Sequence, residues 1–293
     1  MKISGFTIIR NAILSDYPVV EAITSILPIV DEMIVLIGNS DDATEELIKQ
    51  INSPKIKIHH SIWDTQTHQH GTVLAVETNK AFDLIDKEST WAFYIQADEA
   101  VHEKYHPTIV AACHKYATDT QVEGLLFNYL HFYGTYDYVG DSRKWYHKEV
   151  RIIRNTNTIR SFRDAQGFRV GGRKINVKPI DAYIYHYGWV RSQETMQAKN
   201  KHVKDVWHAT SEDVIATNSD ETNNLHFNVN DFDSLTLFKG THPQVWHQRI
   251  ANKNWHYELD VTQKKFSFKN RILHWIEKKT GKRLFDFKNY KII

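Results

Sequence analysis

Two carboxylates, Asp98 and Glu99, stand directly after the apolar aromatic run Trp91-Ala92-Phe93-Tyr94-Ile95. An ionised carboxylate is costly to bury without a partner, so a strand end beside a cleft is a natural metal position. A hard divalent cation, Mg2+ or Mn2+, prefers oxygen ligands and would be held jointly with a diphosphate. A solvated turn, or acids capping a helix before Tyr105, would give the same local pattern. Asp41 and Asp42 follow a second apolar run and could accept hydrogen bonds from a ribose or a base. Both are equally ordinary helix-start residues. Asn11, after a third apolar run, is ambiguous in the same way.

Two further groups carry chemistry. His186 sits in Tyr185-His186-Tyr187-Gly188-Trp189, where a neutral imidazole could ligate a metal and Gly188 would let backbone approach a ligand closely. A core histidine satisfied by backbone is the alternative. From Arg143 to Lys178 the chain is basic, and Glu149 and Asp164 are the acids within that stretch. Guanidinium and ammonium groups there could stabilise a departing diphosphate. Asp164, kept ionised by such neighbours, suits a general base; a structural salt bridge is the other reading.

The elements that must position these residues alternate through the first hundred positions. Strand runs are read at Phe6–Ile9, Met33–Ile37, Lys55–His60 and Trp91–Ile95, and helices at Tyr17–Leu27, from Asp42 on, and at Val73–Ile85. Asp42 with Glu45 resembles a capping box. Such alternation predicts a mostly parallel sheet with helices on both faces, which binds ligands at the carboxyl ends of its strands. The polar turns Arg10-Asn11, Gly38 to Asp42 and Gln96 to Glu99 fall at those ends. A helix containing Cys113 follows. Later strands at Gly124–Phe132, Glu149–Arg154 and Ala182–Tyr187 lack intervening helices and predict an antiparallel extension. A helix over Ser192–Trp207, a polar loop over Thr210–Asp233 and a helix over Lys269–Lys279 closed by Gly281 complete the chain. This gives an α/β domain over 1–210, with an insertion loop and C-terminal helical extension over 211–293 packed on it.

Composition excludes several classes. With 37 Lys and Arg against 35 Asp and Glu in 293 residues, net charge gives no reason to expect a nucleic-acid partner. One cysteine rules out an internal disulfide framework, and the chain shows no signal peptide and no run of the ~20 apolar residues that span a bilayer. A cytoplasmic protein is expected, with any membrane contact peripheral. Phosphate-loop, dinucleotide, zincin and serine-hydrolase fingerprints are missing. The numerous aromatic residues suit sugar stacking and a bulky core alike.

Together these segments resemble the family 2 glycosyltransferases of bacterial type, with the GT-A fold. The likeness is carried by Thr7-Ile8-Ile9-Arg10-Asn11-Ala12 through Asn39-Ser40-Asp41-Asp42-Ala43-Thr44, by Thr78-Asn79-Lys80, and by Trp91 to Glu99. It is also carried by Asp164-Ala165-Gln166-Gly167-Phe168-Arg169 before the His-Tyr-Gly-Trp strand end. The resemblance implies an inverting transfer from a nucleoside-diphosphate sugar to the hydroxyl of a glycan or lipid-linked acceptor, in cell-surface glycan synthesis. It places Arg10, Asn11, Asn39, Asp41, Asn79, Gln96, Asp98, Gly188 and Trp189 around the donor. It makes Asp98 and His186 ligands of Mn2+ or Mg2+, and Asp164 the base. Gln96 stands where the family has an Asp, so metal affinity is expected to be weaker than in a typical member. A sugar-phosphate nucleotidyltransferase and a non-catalytic sugar-nucleotide-binding module are the rival readings. The basic amphipathic stretch Lys264–Lys282 would either rest on anionic lipid, at the inner face of the membrane, or pack on the catalytic domain.

Overall fold

The computed structural model describes residues 1–64, 72–199 and 228–293. The expected parallel half is present. Strands β1 (Ile3–Ile9), β2 (Glu32–Ile37), β3 (Ile56–His60) and β4 (Trp91–Tyr94) lie in the order β3-β2-β1-β4, every neighbour parallel. β1, β2 and β4 are apolar throughout because both faces of the sheet are covered. On one face α1 (Val19–Ile26), α2 (Thr44–Lys49) and α4 (His106–Lys115) pack Val19, Ile23, Ile26, Ile48 and Ile109 against Ile3, Ile9, Val35 and Phe93. On the other, α3 (Thr72–Asp83) packs Val73, Ala81 and Phe82 against Phe6, Ile34 and Tyr94. The architecture is therefore the α/β arrangement expected, a mostly parallel sheet with helices on both faces.

The second half widens the sheet. Strands β5 (Glu99–Val101), β6 (Gly124–Tyr133), β7 (Tyr138–Gly140) and β8 (Lys148–Arg154) follow in sequence. β8 runs antiparallel between β4 and β6, as the extension predicts. The long strand β12 (Asn176–Trp189) departs from that pattern: it lies parallel to β6 and antiparallel to β5. Its register slips between His186 and Trp189, a local irregularity of the kind that re-aims side chains beside a site. Between β8 and β12 a separate three-stranded sheet forms from β9 (Ile159–Phe162), β10 (Gly167–Val170) and β11 (Arg173–Lys174).

Other expectations need correction or completion. The Asp42–Glu45 capping box does not form. One Asp42 oxygen accepts the N–H groups of Ile13 and Leu14, both at 2.9 Å, and the other accepts the Thr44 N–H at 3.1 Å, which fastens the β1 loop to the start of α2. Glu45 turns to Lys49 and His60. The Ser192–Trp207 helix is seen over 193–199, and the rest of it, with most of the Thr210–Asp233 loop, lies outside the described residues. The C-terminal region contributes the helix Phe268–Thr280, ended by Gly281 at φ 67°. It also adds two strands, β13 (Leu235–Leu237) on β7 and β14 (Lys291–Ile292) on β12. Many aromatic residues of the second half form core: Tyr187 stacks on Trp246 at 3.8 Å and on Phe132 at 4.6 Å.

Candidate functional site

The polar turns converge at the carboxyl ends of the parallel strands. After β1, Asn11 takes a left-handed backbone (φ 54°). Its side chain closes a two-way pair with Asp41 beyond β2: Nδ2 donates to the carboxylate at 3.3 Å, and Oδ1 accepts the Asp41 N–H at 2.7 Å. Arg10 donates from Nε to the Asn39 carbonyl at 3.1 Å and reaches 3.9 Å from the Asp41 carboxylate. Asn39 accepts the Trp63 N–H at 3.1 Å. These four residues make a preorganised polar patch in which the Asp41 side chain stays 74% exposed, open to a ligand.

The acidic turn divides its two carboxylates between different tasks. Glu99 is fully buried and clasped by Arg151, Nε at 2.8 and 3.0 Å and a terminal nitrogen at 2.6 Å, with the Tyr129 hydroxyl on the same carboxylate. It also accepts the Gln96 N–H at 3.1 Å, which closes the turn. Glu99 is thus spent on structure. Asp98 is free for chemistry. Its carboxylate lies 3.7 Å from His186 Nε2 and 3.5 Å from Lys199 Nζ. Burial works against its charge, but His186, once protonated at low pH, together with Lys199 and Arg191 outweighs it and holds the carboxyl below its ordinary range.

Two histidines fix the character of this site. His131 Nε2 lies 2.8 Å from the Tyr146 carbonyl, which can only accept, so that nitrogen carries the proton. The Nδ1 of neutral His131 is then an acceptor, and it faces His186 Nδ1 at 3.1 Å. His186 must donate there, which leaves its Nε2 lone pair facing the Asp98 carboxylate. Burial holds both imidazoles neutral, His131 far below its ordinary range and His186 below it despite Asp98 and Glu99. Two acceptors aimed at each other fit a cation between them, and a ligating imidazole with its other N–H committed is the usual arrangement at metals. Among the described residues no three His, Cys, Asp or Glu side chains gather to hold a metal. A cation here would take its remaining ligands from a diphosphate and water.

Gly188 is required at this point. A Cβ there would lie 2.6 Å from His186 Nε2 and 2.9 Å from Asp98 Oδ2. Its carbonyl accepts from Arg191 and from Lys199, the latter at 3.3 Å. Arg191 also donates to the Asp16 carbonyl at 3.0 Å, and both cations approach the Tyr17 ring. The loop that starts at Asn11 thereby reaches the Asp98 group, and the Asn11–Asp41 patch and the Asp98–His186 pair share one edge.

Other sequence candidates stand further round. Asn79 spends its amide on β9, donating to Ser161 O at 3.3 Å and accepting its N–H at 2.8 Å. The Gln96 side chain meets the Tyr94 hydroxyl. Trp189 packs against Trp145 and Tyr133. Asp164 occupies the β9–β10 turn, flanked by Arg163 and Ala165 at φ 60° and 63°. Burial outweighs the lowering effect of Arg163 and raises its pKa, so the neighbouring cations do not set the direction of the shift. Nearby Glu149 is pushed up to about 7, burial again prevailing over Arg151. Its carboxyl lines a cavity of about 380 Å³ with Lys148, Gln166, Lys269 and Phe287. His131, Glu149, Arg191 and Lys199 were not singled out from sequence as site residues. Lys148 to Arg151 lay in the basic stretch; His131 and Lys199 sit in ordinary strand and helix contexts that carry no distinguishing pattern.

No protein-family model and no curated protein matches the chain. Solved structures do align with it. TarS from S. aureus in complex with UDP (residues 1–349) aligns at 15% identity and a TM-score of 0.41, over 78% of this chain and 72% of that one. Glucosyl-3-phosphoglycerate synthase from Mycobacterium tuberculosis, with Mn2+, UDP and phosphoglyceric acid, aligns at 18% identity and 0.31, over 44% and 43%. The 4-diphosphocytidyl-2C-methyl-D-erythritol synthase of Anaerococcus prevotii aligns at 11% and 0.39, over 69% and 96%. The chain spans 40% of the length of the longer TarS structure, at a TM-score of 0.43. Likenesses this loose assign neither activity nor ligand.

Proposed function

We propose that this chain is an inverting, hexosyl-type glycosyltransferase that moves a sugar from a nucleoside-diphosphate donor to an acceptor hydroxyl in cell-surface glycan synthesis. The observation that carries the reading is the Asp98–His186 pair, two acceptors 3.7 Å apart at the strand ends, beside the polar patch of Asn11 and Asp41. Arg10, Asn11, Asn39 and Asp41 bind the nucleoside, and Gln96, Gly188 and Trp189 border the sugar and diphosphate. Asn79, on α3, contributes to the donor side by holding β9 through Ser161. Asp98 and His186 hold a divalent cation, Mn2+ or Mg2+, which when bound neutralises charge on the departing diphosphate. Lys199 and Arg191 add fixed positive charge on the same side.

Asp164 is the proposed base. It takes the proton of the acceptor hydroxyl as that oxygen bonds to the anomeric carbon and the bond to the diphosphate breaks. A raised pKa improves it as a proton acceptor near neutral pH. The acceptor is a glycan or a lipid-linked sugar.

A thermal-shift panel of UDP-, GDP- and dTDP-sugars with Mn2+ or Mg2+ identifies the donor, because a ligand of the native state raises stability by mass action. With that donor, turnover must release a nucleoside diphosphate and fall at least a hundredfold in Asp98→Ala. Equal turnover by the two proteins would remove Asp98 from the reaction. Release of inorganic diphosphate from a nucleoside triphosphate and a sugar phosphate would replace the reading with nucleotidyl transfer.

A further inference from the structure

The C-terminal helix Phe268–Thr280 has no buried residue, and the side it turns to solvent is unusual. Phe268 is 80% exposed, Trp275 62% and Ile272 45%. At 100° per residue these three fall within about 60° of one another around the helix, with Lys279 among them. Arg271 and Lys278 flank the stripe on one side and Lys269 on the other. The chain continues past Gly281 into Phe285 and Phe287, 88% and 77% exposed. Isolated exposed apolar residues are ordinary; five large ones on one segment are not.

Charge is arranged around this stripe with the same polarity. Residues 264–293 carry ten Lys and Arg against Glu277 and Asp286, a net +8 in a chain whose total is +2, so the other 263 residues sum to −6. Both acids are used inward. Glu277 pairs with Arg143 at 3.0 Å, and Asp286 with Arg283 at 3.1 Å. What faces outward is cationic. The basic stretch 143–178 packs against this segment from its inner side and rim. Arg143 donates to the Leu284 carbonyl, Arg169 to that of Asn289 at 2.7 Å, and Lys174 lies over the Phe287 ring at 5.3 Å.

We propose that the outward face of Phe268–Thr280, with Phe285, Phe287 and the surrounding lysines and arginines, docks on the surface of an anionic phospholipid bilayer. Charge selects this occupant. A second copy of the chain would set like charge against like across the same patch, whereas anionic headgroups neutralise it while the aromatic rings enter the interface. Among the described residues no helix is long and apolar enough to cross a membrane, so this contact lies in the plane of the surface.

The test is co-sedimentation of the full chain with sucrose-loaded vesicles of phosphatidylcholine alone and of equal parts phosphatidylcholine and phosphatidylglycerol. Binding is expected to the mixed vesicles only, and to weaken as salt is raised. Two exposed-site variants, Trp275→Ser with Phe285→Ser and Lys279→Glu with Lys282→Glu, should each lower the bound fraction at least about tenfold while leaving the thermal midpoint within a few degrees. Equal sedimentation with both vesicles and without vesicles would overturn the proposal. So would a dimer in light scattering that both variants dissociate. Neither result bears on sugar transfer, which is measured in solution with a soluble acceptor.

Discussion

His131 and His186 meet Nδ1 to Nδ1 at 3.1 Å, and the Tyr146 carbonyl on the far side of His131 decides which of them donates. A backbone atom thus sets the tautomer of an imidazole two hydrogen bonds away. The consequence is a lone pair on His186 Nε2 facing Asp98, a geometry that serves a cation and repels a bare carboxylate.

That relay is tested through His131. His131→Phe keeps the ring and removes the acceptor, leaving the His186 Nδ1–H buried and unpaired. Mn2+ affinity, read by electron paramagnetic resonance in the presence of the nucleoside diphosphate, should fall by about 10- to 100-fold. Circular dichroism should show the fold retained. Unchanged Mn2+ affinity would mean that the tautomer is not set by His131.

Gly188 offers an independent probe of the same space. In Gly188→Ala the added methyl would sit 2.6 Å from His186 Nε2 and 2.9 Å from Asp98 Oδ2, closer than any stable contact. One of the two side chains must move. Transfer should drop at least a hundredfold, with the donor's nucleoside still protecting against heat through the Asn11–Asp41 patch. Loss of nucleotide protection together with activity would instead indicate a general collapse of the strand end.

Much of this arrangement was legible before any coordinates. The parallel half was readable because buried strands are apolar without interruption and the intervening helices repeat their apolar face, so Asn11, Asp41 and Asp98 could be placed at strand ends. Long-range pairing was not. Glu99 and Arg151 lie 52 positions apart, and nothing local marks either as the other's partner. β12 was seen only over Ala182–Tyr187, because Pro179 and Asp181 break its apolar pattern although the strand begins at Asn176. The β9–β11 sheet was hidden by its arginines and glycines. The reciprocal capping box fails because Glu45 turns to Lys49 and His60, while Asp42 still accepts the Thr44 N–H with one oxygen and ties down Ile13 and Leu14 with the other.

The Glu99–Arg151 pair should dominate the response of the fold to mutation. Both side chains are fully buried, so removing one partner strands a charge with no access to water. Arg151→Met is expected to cost about 3–5 kcal/mol in urea unfolding. Combining it with Glu99→Gln should recover part of that loss, since the stranded carboxylate is gone. A single variant with wild-type stability would show that the pair is not holding the turn.

Stability should depend on pH through Glu149 in a direction opposite to that of a salt-bridged acid. Its carboxyl is raised from 4.5 to about 7 in the folded protein, so the fold prefers the protonated form. Below the unfolded value both states are protonated and the group is neutral in its effect. As pH rises from about 4.5 to 7 the unfolded chain releases the proton first, and stability is lost. Above pH 7 the penalty is complete, at most about 3 kcal/mol for a shift of this size. Glu149→Gln removes the titration. It should therefore unfold at a higher temperature than wild type at pH 8, and at nearly the same temperature at pH 4. His242, lowered to about 4 by burial, acts the other way. Its cost appears as pH falls below its unfolded value near 6.5, where the unfolded imidazole binds a proton that the folded one refuses. Comparing wild type with the variant at each pH cancels that shared contribution. A constant difference between the two from pH 4 to pH 8 would show that folding does not shift the Glu149 pKa.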